Sequence, residues 1–60
     1  MNPVLVPLGE YQAHMLTREL TALVDMGLDT PPFVDDVRTR LGATREEVDT
    51  ILVGVRRAAA

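Results

Sequence analysis

Between Glu10 and Met26 the apolar positions recur at helical spacing, in the longest such run of the chain. At about 100° per residue, Ala13, Leu16, Leu20, Leu23 and Val24 fall on one arc, which predicts a core-facing seam. Tyr11, Met15, Ala22 and Met26 form a second apolar arc, separated from the first by a narrow polar line of Gln12 and Glu19. His14, Thr17, Arg18, Thr21 and Asp25 make up the wet face. A helix that only covers a core needs one apolar stripe, so the second arc is either additional core or a surface for another chain. Methionine suits adaptable contacts because its side chain is unbranched and polarizable.

Two shorter patterns follow. Gly27 occupies the position of a left-handed helix terminator, with Leu28 placed to meet Leu23. Thr30 then reads as the cap of a second helix with Pro31 at its first position, where the missing N–H is harmless. Its apolar face is Phe33, Val34, Val37 and Leu41, with Asp35 and Asp36 early, Arg38 and Arg40 late, and an Asp36–Arg40 pair one turn apart. Gly42 ends it. Thr44-Arg45-Glu46-Glu47 has the form of a capping box and opens a third helix, whose stripe is Val48, Ile51, Leu52 and Val55. Gly54 interrupts that stripe at a cost of about 1 kcal/mol against alanine, which suggests that another backbone comes close there.

The start of the chain is different. Val4, Leu5 and Val6 are bracketed by Pro3 and Pro7, which cannot donate to a sheet ladder, so the pattern predicts an extended arm or edge strand over 3–7. The expected architecture is therefore all-α: a three-helix domain, helices over 10–26, 31–41 and 45–57, Gly9 as the first N-cap, and an N-terminal arm over 1–8. Residues 58–60 should fray.

Composition sharpens this picture. A chain of 60 residues buries only about 60% of its unfolded surface, and without cysteine it has no disulfide to compensate. Association is the remaining common remedy. Nine acids against six arginines give a net charge of −3, which disfavours a general nucleic-acid or anionic-membrane binder. No apolar run approaches the roughly 20 residues of a membrane span, and no signal-like segment opens the chain. A cytoplasmic protein is expected.

Catalytic chemistry has few carriers. With neither serine nor cysteine, the usual acyl-transfer nucleophiles are missing. The one histidine, His14, has Arg18 rather than a ligand one turn on. Asp35-Asp36 and Glu46-Glu47 point about 100° apart on their helices, so neither pair clamps a metal alone. No glycine-rich phosphate loop is present. The sequence thus predicts no enzyme, no metal, no cofactor and no small-molecule substrate.

Val37, Leu41 and Gly42 at a turn, followed by Val48, Ile51 and Leu52, give the segment from Asp36 to Leu52 a pattern that resembles the helix-turn-helix of DNA-binding regulators. The resemblance implies a second helix entering the major groove, with Arg38, Arg40, Thr44, Arg45 and Thr50 as the contacting residues. It covers under a third of the chain. The expectation from the rest is a protein-protein interaction module, a homodimer or a subunit of a larger assembly, with Val4, Leu5, Val6, Tyr11, Met15, Ala22 and Met26 as the partner-binding residues. DNA binding is the alternative.

Overall fold

The computed structural model describes residues 8–60, the side chain of Leu8 excepted. The expected arm with Val4, Leu5 and Val6 lies outside the described residues. Three helices follow in order: α1 (Leu8–Met26), α2 (Pro31–Leu41) and α3 (Arg45–Ala59). α1 begins two residues ahead of the expected start, which places Gly9 inside the first turn rather than at the cap. α3 runs two residues beyond the expected 57, so Ala58 and Ala59 are helical.

The helix ends explain the chain's path. At the end of α1 the Gly27 N–H donates to the Val24 carbonyl at 3.1 Å and the Leu28 N–H to that of Leu23 at 2.8 Å. With Gly27 at φ 72°, this is the Schellman arrangement that its sequence position predicts. The same pattern recurs at the end of α2. Gly42 at φ 66° donates to Thr39 at 3.3 Å, and Ala43 donates to Arg38 at 3.0 Å. Ala43 is itself 5 % exposed and belongs to the core, a role its single methyl does not advertise in the sequence.

Two caps behave differently. Thr44 and Glu47 form a complete capping box, with the Glu47 N–H donating to Thr44 Oγ1 at 3.1 Å and the Thr44 N–H donating to Glu47 Oε1 at 3.0 Å. Thr30 holds the N-cap position of α2, but its side chain accepts no bond. A cap hydroxyl accepts from the second or third helical N–H. Here the second residue is Pro32, which has none, and the third, Phe33, donates to the Thr30 carbonyl at 3.1 Å.

The core consists of Leu16 and Leu20 from α1, Val37 from α2, Ala43 from the turn, and Val48 and Leu52 from α3, with Leu23, Val24, Val34, Leu41 and Ile51 half-buried around it. α2 and α3 each pack on α1 and barely on each other. Gln12 Nε2 donates to the Leu41 carbonyl at 2.6 Å, and the Arg56 guanidinium holds Asp29 just past the end of α1. α2 therefore returns antiparallel to α1, and α3 climbs again alongside it. Among the described residues no helix is long and apolar enough to cross a membrane.

The expected faces need four corrections. Ala13 is exposed rather than core-facing. Gln12 and Glu19 are half-buried and face α2: Arg40 Nη2 donates to Glu19 Oε1 at 2.6 Å. Thr17, Thr21 and Asp25 line a groove against α3 instead of a fully wet face. Phe33, finally, is 47 % exposed. Side chains of a helix tilt toward its N-terminus, so a first-turn residue reaches past the end of the core that Val37 enters one turn later.

Candidate interaction surfaces

Among the described residues α1 is covered on two sides and open on a third. Leu16 and Leu20 are fully buried between the other helices, while Tyr11 is 55 % and Met26 62 % exposed on the opposite side. Met15 is half-buried and Ala22 exposed in the same sector. All four residues lie within one arc of the helical wheel, bounded by Glu19 on the side of α2 and by Arg18 on the other. Glu19 is fixed there by Arg40, which also pairs with Asp36 at 3.2 Å. The hydrogen bonds to Glu19 first, and to Asp36 second, hold the Arg40 guanidinium charged and raise its pKa. The border between covered and open faces is thus an ion-paired edge, and the seam beyond it is apolar.

At the far end of α1, Leu28 is 37 % exposed, and Phe33 opens α2 on the other side of the same short loop. Sequence reasoning assigned these two residues to a cap contact and to the core. Leu28 does cap α1 through its N–H to the Leu23 carbonyl while its side chain is exposed, and Phe33 is exposed instead of core. The available signal was position alone, since a bulky residue directly after a helix's opening prolines has little core beneath it.

The DNA-contact candidates are not assembled into one surface. Arg38 and Arg45 line a cleft between α2 and α3 together with Asp35, Asp49 and Arg56. Arg38 is paired with Asp35 at 2.9 Å. Arg40 is held by Glu19 and Asp36, and Thr44 is engaged in the capping box. Thr50 lies on another side of α3, in the groove against α1. In that groove the hydroxyls of Thr17 and Thr21 donate to the carbonyls of Ala13 and Thr17, at 2.9 and 2.6 Å. With those polar ends engaged on the helix's own backbone, the groove keeps an apolar lining of Ile51, Gly54, Val55 and Ala58.

Two carboxylates have depressed pKa values. The hydrogen bond from Arg56 is the main reason that Asp29 titrates below the ordinary range. The Thr44 backbone N–H does the same for Glu47. Both are structural fastenings at loops. Among the described residues no group of three or more His, Cys, Asp and Glu side chains is placed to hold a metal ion. Comparison with protein families, with curated proteins and with solved structures finds no match for this chain.

Proposed function

We propose that this chain is a non-enzymatic protein-interaction module that docks on another protein chain, a copy of itself or a larger assembly, through the outer face of α1. The observation that carries the reading is the exposure of Tyr11 and Met26, 55 % and 62 %, on the side of α1 that α2 and α3 leave open. Large side chains gathered on one arc with an ion-paired border are what a docking surface needs, whereas isolated exposed apolar residues need no explanation. Tyrosine and methionine are also residue types enriched where protein surfaces meet. A DNA-binding regulator has weaker support, because Arg40 and Thr44 are engaged within the chain and Thr50 lies apart from Arg38 and Arg45.

The test is the absolute mass in solution, by light scattering after size exclusion across a wide concentration range. Met15→Asp combined with Met26→Asp should lower the mass at a given concentration and leave the helical circular dichroism unchanged. A variant that associates as the parent chain does would sink the reading.

A further inference from the structure

Gly54 lies in the interior of α3, where glycine weakens a helix relative to alanine. A Cβ added there would meet no other described side chain or helix within 4 Å. Among the described residues no close approach accounts for it. The residues around it share a pattern. Glu46, Thr50, Val53 and Arg57 succeed one another at steps of four, three and four residues, the spacing of a single coiled-coil stripe. All four are exposed, Val53 by 52 %. Gly54 borders the stripe beside Thr50, on the side of the groove with α1.

The charges on this face are arranged by position. α3 opens with Glu46 and Glu47 and closes with Arg56 and Arg57. Glu47 belongs to the capping box and Arg56 to the pair with Asp29. Glu46 and Arg57 have no ion-pair partner among the described residues. They stand equally far from the middle of the stripe, as do Thr50 and Val53. Reversing the helix therefore superimposes acid on base and threonine on valine.

We propose that this face of α3 pairs with the same face of a second copy, antiparallel, about a two-fold axis near the middle of the helix. Such an interface is self-complementary, because each contact between two different residues occurs twice. Glu46 of each chain meets the second copy's Arg57, and Thr50 meets the second copy's Val53. The absent side chain of Gly54 lets the two backbones approach. The surface is separate from the outer face of α1, and the inference does not rest on that face being a docking site.

Sedimentation equilibrium on the full chain tests it, in a background of Met15→Gln and Met26→Gln that silences the α1 seam at unchanged net charge. Arg57→Glu alone and Glu46→Arg alone each replace two attractive pairs by two repulsive ones and should weaken the dimer by about tenfold. An equimolar mixture of the two, or both changes in one chain, should recover it, and each arrangement has the parent's average net charge. Gly54→Leu should strengthen the helix and weaken the dimer, opposite signs that a merely structural glycine would not give. A monomer throughout the concentration range would overturn the proposal, as would single variants that pair like the parent or a double variant that fails to recover. The α1 reading fails separately, if the methionine variants have the mass of the parent.

Discussion

The two apolar faces of α1, one of leucine and valine and the other of tyrosine and methionine, are opposite in fate. Leu16 and Leu20 are fully buried, while Tyr11 and Met26, on the other side of the same helix, are more than half exposed. The leucine face is the more hydrophobic, yet both are apolar enough to call for cover. What limits the cover is the number of neighbours: a chain with two further short helices can flank one stripe on its two sides, and here α2 and α3 both pack on α1 and hardly on each other. One arc becomes core and the other remains a surface. An apolar stripe therefore says that a helix must be covered, without saying by which chain.

The largest expected contrast between the faces is in stability. Leu20→Ala removes a fully buried side chain and should cost about 2–5 kcal/mol, a large share of the roughly 3–9 kcal/mol that a domain of this length holds. Met26→Ala should stay within about 0.5 kcal/mol for the isolated chain. Urea midpoints of the two variants measure the difference. Equal midpoints would break the comparison and mean that the outer face is also packed.

A smaller effect probes the border between the faces. Gln12 is half-buried and donates to the carbonyl of Leu41, one of the otherwise unpaired acceptors at the end of α2. Gln12→Ala should cost about 1 kcal/mol, read as a shift in the same urea midpoint. A neutral result would return Gln12 to the solvated line that the helical wheel draws.

The smallest effect comes from acid. Asp29 and Glu47 have depressed pKa values in the folded chain, so the unfolded chain takes up their protons first as pH falls. Their contribution is fully present above the ordinary carboxylate range of about 4, and is lost as pH drops through the lower folded values. Asp29→Asn with Glu47→Gln should therefore flatten part of the decline in urea midpoint below about pH 4–5, with no effect on the outer face of α1. An unchanged slope would remove these two groups from the account.

Much of the fold was legible because its signals are local. Gly27 and Gly42 adopt the left-handed conformation that their places after an apolar stripe imply, and Thr44 with Glu47 forms both bonds of the capping box. The pair Asp36–Arg40 forms one turn apart as the spacing predicts. Thr30 shows the limit of a local rule, since Pro32 has no N–H to offer its hydroxyl and the Phe33 N–H bonds the Thr30 carbonyl instead. On the candidate surface, the arc of Tyr11, Met15, Ala22 and Met26 could be drawn from the sequence. The exposure of Phe33 and Leu28 could not, because spacing places Phe33 with Val37 and gives no depth to a residue at a helix end.

By itself the sequence determined where α1 stops, where α2 starts and stops, where α3 starts, and which arcs of each are apolar, because caps, left-handed glycines and periodicity act over one or two turns. Only the tertiary structure decided which arc is covered. The line of Gln12 and Glu19 became the contact with α2, Thr17 and Thr21 came to lie against α3, and Gly54 was left, among the described residues, with room for a Cβ. Those outcomes depend on the sector of α1 that each later helix takes. Short loops and competition for one core set that sector, and neither is written in the spacing of any single helix.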